Sequence, residues 1–149
     1  MDLTEQRKSK LDDLLVADEG TVRILRLNRP ASRNSLDTKT IVAIEGVIDD
    51  LSARPNISVL IITGSGNVFA SGADLNELLS LTPETARAFS ERGQRLFQRI
   101  ADLPQLTIAA VNGYCYGGAL DLALACKVRV AAPNAEFCHP GARLGIITG

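Results

Sequence analysis

Histidine is almost missing from this chain and cysteine is sparse: His139 stands alone among 149 residues, beside Cys115, Cys126 and Cys138. No C-x-x-C pair occurs, so nothing has the ligand spacing of a structural zinc site. Three thiols in apolar surroundings, an odd number, fit reduced core cysteines rather than a disulfide framework, and point to a cytoplasmic setting. An excess of one charge is missing as well. With 16 basic and 17 acidic residues the formal net charge is −1. Bulk electrostatics therefore offers no case for nucleic acid or an anionic membrane as partner. No apolar run reaches the roughly 20 residues that cross a bilayer. Met1 to Leu15 is charged and has no apolar stretch of the kind a secretory leader carries. Internal repeats, low-complexity tracts and linkers are also absent.

What is present is ordinary globular composition, 46% hydrophobic and 22% charged, in a chain long enough for one domain, 1–149, with a real core. Met1 to Asp12 is polar and reads as a loosely helical lead-in. Leu14 to Ala17 and Val22 to Leu27 read as strands, joined by a tight turn at Asp18-Glu19-Gly20. Alternation in the second strand puts Val22, Ile24 and Leu27 inward and the arginines outward. Asp37 caps an expected helix from Thr38 to Ala53, whose Ile41, Ile44, Ile48 and Leu51 fall on one face. Pro55 ends it, and Ile57 to Thr63 follows as a strand buried on both faces. This β-β-α-β rhythm indicates an α/β domain.

Gly64 to Asp74 reads as a loop. A dinucleotide fingerprint would need glycine where Phe69 stands, and Ser71 lacks the flanking glycines of a nucleophile elbow. The loop does present N–H groups around Gly72 and Ala73 before a short helix through Leu79. Thr82-Pro83 opens a second long helix to about Ala101, with Ala86, Phe89, Gly93, Leu96, Phe97 and Ile100 on its inner face. Strands are expected at Leu106 to Val111, Val128 to Ala132 and Glu136 to Cys138. His139-Pro140-Gly141 then breaks the chain, and Thr148-Gly149 is a turn.

The stretch from Val111 to Cys126 organises the whole. A strand runs into a glycine-bearing turn, and Gly117-Gly118 open an almost wholly apolar helix. A helix N-terminus carries unpartnered N–H groups and positive potential, suited to a negative oxygen. Asp121 lies one turn beyond Gly118 on the same face. It reads either as an acid beside an anion-binding helix end or as a buried Asp satisfied by a neighbouring backbone group.

These residues carry a resemblance. Leu27-Asn28-Arg29-Pro30 with Asn34-Ser35-Leu36 is similar to the L-N-R-P…N-A-L opening of the crotonase (enoyl-CoA hydratase/isomerase) superfamily. Ile61 to Gly64 and Phe69 to Leu75 resemble its I-T-G…F-x-x-G-x-D-L segment. Ala109 to Tyr114 with Gly117-Gly118 match A-A-V-N-G…G-G, and Phe137 to Pro140 with Leu144 to Ile147 parallel F-x-x-P-E-x-x-L-G-I. The four motifs stand in order across nearly the whole chain.

The resemblance implies an α/β spiral of β-β-α units forming two sheets surrounded by helices, continued by a C-terminal helical part that this sequence does not include. It implies that the N–H groups of Ala73 and Gly118 hold the carbonyl oxygen of an acyl-CoA thioester. Gly72, Ala73, Asp74, Leu75 and Asn76 would line the coenzyme A path together with Gly118. Arg29 would stand at its entrance, or else be a solvated charge at a strand end. Coenzyme A would come as part of the substrate, with no resident cofactor or metal, and the assembly would be a homo-oligomer, a trimer or dimer of trimers. Hydratases of the family use two glutamates. The first position here is Asp121; the second is Gly141, which has no side chain. One carboxylate suffices to move a proton next to a thioester, and His139 could supply the second group. Gly141→Glu should then raise hydration, unless Gly141 needs a positive φ. Three readings follow: an enoyl-CoA hydratase or isomerase, a thioester hydrolase or decarboxylase on the same scaffold, and an inactive CoA-binding or assembly module.

Overall fold

The computed structural model describes residues 13–147; the lead-in expected for Met1 to Asp12 and the Thr148-Gly149 turn lie outside them. Strand β1 (Leu14–Glu19) pairs antiparallel with β2 (Val22–Leu27). The two-residue turn between them is Gly20-Thr21, with Gly20 at φ +61, one residue beyond the expected position. Within β2 the expected facing holds for Leu27 and Arg26 but is reversed at residues 22–24. Leu25 and Leu27 are buried as aliphatics should be, but so is Arg23, 3% exposed, while Val22 and Ile24 are only half-buried. Arg23 is tolerated inside because its guanidinium meets Asp18 at 2.7 and 2.8 Å and Asp50 at 2.7 Å. A buried charge needs such partners.

Helix α1 (Thr38–Ser52) starts where Asp37 predicts, its carboxylate accepting from the Thr40 N–H at 2.7 Å. Its buried face holds Ile41, Ile44, Ile48 and Leu51. The chain then enters β3 (Val59–Gly64), which runs parallel to β2. The segment expected as a loop contains a further strand, β4 (Val68–Ala70), all three residues buried. Helix α2 (Leu75–Ser80) is capped by Asp74, and α3 (Pro83–Asp102) by Thr82. Only the second half of α3 enters the core, through Leu96 and Ile100. Ala86 is exposed, and Phe89, Gly93 and Phe97 are half-buried.

Strand β5 (Leu106–Val111) extends the first sheet beside β3. The turn expected before the next helix also holds a strand, β6 (Tyr114–Tyr116), which pairs in parallel with β4. Helix α4 (Gly118–Ala125) buries Ala119, Leu122 and Ala123. Strand β7 (Val128–Ala131) then joins β5, and β8 (Glu136–Cys138) joins β6. The break expected at His139-Pro140-Gly141 instead opens one helical turn, α5 (Gly141–Leu144). The result is a five-stranded sheet, β1-β2-β3-β5-β7, and a three-stranded one, β4-β6-β8. From β3 onward each winding of the chain lays one strand in the first sheet and the next in the second, the α/β spiral of β-β-α units. Leu25, Leu60, Ile62, Phe69, Ala109 and Leu122 are fully buried in the core these windings share.

Candidate active site

Two windings bring their turns together at one place. Strand β4 ends at Ala70 and β6 at Tyr116, and their register pairs Ala70 with Cys115. Three residues further along each strand, from 70 to 73 and from 115 to 118, stand Ala73 and Gly118. A Cβ built on Gly118 would lie 3.9 Å from the Ala73 nitrogen. Neighbouring backbone groups are engaged: Leu36 N–H donates to Gly72 O at 2.8 Å, Asp74 N–H to Leu36 O at 3.3 Å, and Gly117 N–H to Cys138 O at 2.9 Å. Leu36 thus pins the chain on both sides of Ala73 in a parallel bridge, which turns the Ala73 N–H itself away from Leu36. Among the described residues neither the Ala73 nor the Gly118 N–H donates to a protein acceptor.

Both amides open on a cleft of about 870 Å³. Its walls are chiefly apolar: Leu75, Leu78 and Leu79 from α2, Phe89 and Phe97 from α3, and Leu144 to Ile147. Leu79 is 87% exposed and Leu75 54%. A smaller cavity of about 370 Å³ between α3 and α4 shares Gln94, Phe97 and Asp121 with the cleft. Asp121 therefore stands where the two meet, one helical turn from Gly118. It is not satisfied by backbone; its carboxylate oxygens face His139 Nε2 at 3.3 and 3.4 Å. Beneath it lies Cys115, whose thiol is pushed up to about 12, first by burial and then by the Asp121 charge. Burial likewise pushes Cys126 up to about 11. Cys138, by contrast, is exposed, so the reading of three core thiols holds for two of them.

The cleft gathers Gly72, Ala73, Leu75, Gly118, Asp121, His139 and Gly141, and leaves out Arg29, Asp74 and Asn76. Arg29 is engaged elsewhere: it pairs with Asp37 at 2.8 Å and donates to Ser35 O at 2.9 Å and Thr40 Oγ1 at 3.3 Å. Asp74 accepts from the Ser35 hydroxyl at 2.8 Å and from the Asn76 N–H at 3.0 Å. The Ser35 bond above all, then the backbone amides of Glu77 and Asn76, hold its carboxyl below the usual range against the opposing effect of burial. Three residues escaped the sequence reading as site supports. Leu36 pins Ala73. Asn34 Nδ2 donates to Val68 O at 2.9 Å, and Asn112 bridges the Gly64 N–H, at 3.0 Å, and Gly66 O, at 2.9 Å. Their only sequence signal was position inside the quoted motifs.

A mixed five-stranded sheet and a parallel three-stranded one, filled by successive strands of the same windings, with an apolar cleft where the turns converge, define a protein of the crotonase fold. The chain belongs to the enoyl-CoA hydratase/isomerase family, whose model matches residues 17–149. It is 37% identical over 139 residues to the crotonyl-CoA hydratase of Syntrophomonas wolfei, covering 93% of this chain and 54% of that protein. Against the 2,3-dehydroadipyl-CoA hydratase of Escherichia coli the identity is again 37% over 139 residues, with the same coverage, 93% and 54%. Among solved structures, the enoyl-CoA hydratase of Bacillus anthracis superposes with a TM-score of 0.88 at 32% identity, over 92% of this chain and 54% of that one. DspI of Pseudomonas aeruginosa gives 0.87 at 32% identity, over 95% and 59%. The chain spans about half the length of the curated relatives it matches.

Proposed function

We propose that this chain supplies the thioester-activating part of an acyl-CoA enzyme of the hydratase/isomerase type. The observation that carries the reading is the pair of Ala73 and Gly118 N–H groups, unclaimed by protein acceptors and facing one cleft with Asp121 a helical turn away. Two donors aimed at one oxygen hold the negative charge that builds on a thioester carbonyl as its α-carbon is deprotonated. In a water-poor cleft, loss of one such donor costs about 3–4 kcal/mol. Asp121 takes that proton and returns it. The apolar wall from α2 and α3 accommodates the acyl and pantetheine portions, with the Gly72 to Asn76 segment along the coenzyme A side. Coenzyme A is thus part of the substrate. Arg29 has no place in this proposal, because its guanidinium is spent on Asp37 and the Ser35 carbonyl. Assembly as a trimer or dimer of trimers, and a cytoplasmic location, belong to the same proposal.

The test is Asp121→Asn, assayed for crotonyl-CoA hydration and for isomerisation of a 3-enoyl-CoA. Loss of the proton-transfer group should lower kcat by roughly two to four decades while coenzyme A affinity stays within about twofold. An unaltered kcat overturns the role of Asp121. A variant that unfolds assigns Asp121 to structure instead.

A further inference from the structure

Among the described residues, Asp121 and His139 are the only titratable side chains lining the cleft. They arrive from different elements, α4 and the turn after β8, and meet at 3.3 and 3.4 Å through His139 Nε2. A carboxylate only accepts hydrogen bonds, so Nε2 carries the proton and the lone pair of the neutral ring sits on Nδ1. Nδ1 lies on the Gly141 side, 3.8 Å from where a Cβ on that residue would stand. Residue 141 has no side chain there, and the Ile146 carbonyl oxygen stands 2.7 Å from the same point. An oriented imidazole with an unpartnered ring nitrogen, in a cleft that two unclaimed backbone donors also line, is the equipment for adding water to an acyl carbon.

We propose that the cleft hydrolyses acyl-CoA thioesters, with His139 Nδ1 as the general base and Asp121 as the residue that positions it. The proposal rests on the reading of Ala73 and Gly118 as the oxyanion donors. A water beside Gly141 gives one proton to Nδ1 as its oxygen bonds to the thioester carbon. The carbonyl π electrons move onto oxygen, where the two N–H groups hold the charge. Collapse re-forms the C=O bond and breaks the C–S bond, and the departing coenzyme A thiolate takes the proton from Nδ1. The products are a carboxylic acid and free coenzyme A, and His139 returns to its starting form.

Benzoyl-CoA separates this chemistry from enolate chemistry, because it has no α-proton to remove. The protein should release thiol from it with turnover. His139→Gln and Asp121→Asn should each slow that release by about a hundredfold or more, with KM and unfolding temperature little changed. Free imidazole should restore part of the rate to His139→Ala, which a purely structural role for the ring would not allow. Release no faster than in buffer, or undiminished release by His139→Gln, overturns the proposal. Exchange of deuterium into the α-position of butyryl-CoA is measured alongside. Exchange without thiol release leaves the enolate reading standing and removes hydrolysis; thiol release without exchange does the reverse. Absence of both overturns the two together.

Discussion

A Cβ on Gly72 would stand 3.2 Å from the amide nitrogen of Gly118 and 2.7 Å from the Tyr116 carbonyl oxygen. The two windings therefore touch backbone to backbone, and Gly72, at φ +90, is the residue that permits it. Gly72→Ala meets both objections, a left-handed conformation that disfavours a side chain and a clash with a carbonyl that cannot swing away. Together these should cost about 2–4 kcal/mol, a fall of roughly 5–10 °C in Tm. The same methyl pushes the α4 turn from Ala73, so acyl-CoA turnover should drop in whatever variant remains folded. Thermal unfolding with parallel kinetics decides it; wild-type values for both would refute the contact.

Gly118→Pro isolates the donor. Gly118 is the first residue of α4, where proline is well accommodated because that N–H has no helical partner. The substitution deletes the N–H with the helix kept, and activity should fall by about 10²–10³. Circular dichroism should remain that of wild type. Full activity in a folded protein would remove Gly118 from the proposed oxyanion site.

Gly141→Glu addresses the missing carboxylate. The expected obstacle was a positive φ, but Gly141 is not among the positive-φ glycines. The obstacle is steric: a Cβ would lie 2.7 Å from Ile146 O, and Gly141 O accepts from the Ile146 N–H at 2.9 Å. The variant should lose about 1–3 kcal/mol by overpacking and gain no crotonyl-CoA hydration. A gain in hydration with wild-type Tm would show that the Ile146 turn yields at no cost.

Arg23 governs part of the acid response. Its hydrogen bonds hold the Asp18 and Asp50 carboxyls below the usual range. Carboxyls lowered by folding add stability that is complete above their unfolded value near 4, and is lost as pH falls through the folded value. Arg23→Ala should flatten the decline in stability below about pH 4. At neutral pH it should cost about 1–3 kcal/mol, less than the ~3–5 kcal/mol of a fully buried pair, because the carboxylates of Asp18 and Asp50 still reach water. Urea midpoints at pH 3 and pH 7 test this; parallel losses at both would refute it.

Where the sequence was readable, local chemistry decided the outcome. Asp37 and Thr82 cap their helices in a way that needs no tertiary information, and the spacing from Ile41 to Leu51 has one helical face. Strands β4 and β6 were hidden because three residues carry no usable period, and they form against distant partners, β4 against β6 more than 40 residues on and β6 also against β8, 22 residues on. Arg23 was turned the wrong way because alternation gives two faces but not which is inside. That choice was made by Asp18 and by Asp50, which lies 27 residues downstream. In the site, the glycine turns at 72 and 117–118 were visible as close-approach backbone, and Asp121 by its distance from Gly118. The Asp121–His139 pair was not visible, since it depends on β6 and β8 lying side by side. Arg29 was read from a motif position alone; its contacts with Asp37 and the Ser35 carbonyl come from the closed loop and had no sequence signal.

The opposition of Ala73 and Gly118 also fixes a length. Neighbouring strands are about 4.8 Å apart, and two donors each about 2.9 Å from one oxygen can be at most roughly 5.8 Å apart. The pitch of the spiral thus already matches the bite of the proposed two-pronged oxygen clamp. On that proposal, chemistry in this fold could be rewritten at Asp121, His139 or residue 141 while the clamp persists as a by-product of strand spacing. Slipping β4 against β6 by a single residue, about 3.3 Å, would dismantle it without touching any side chain in the cleft.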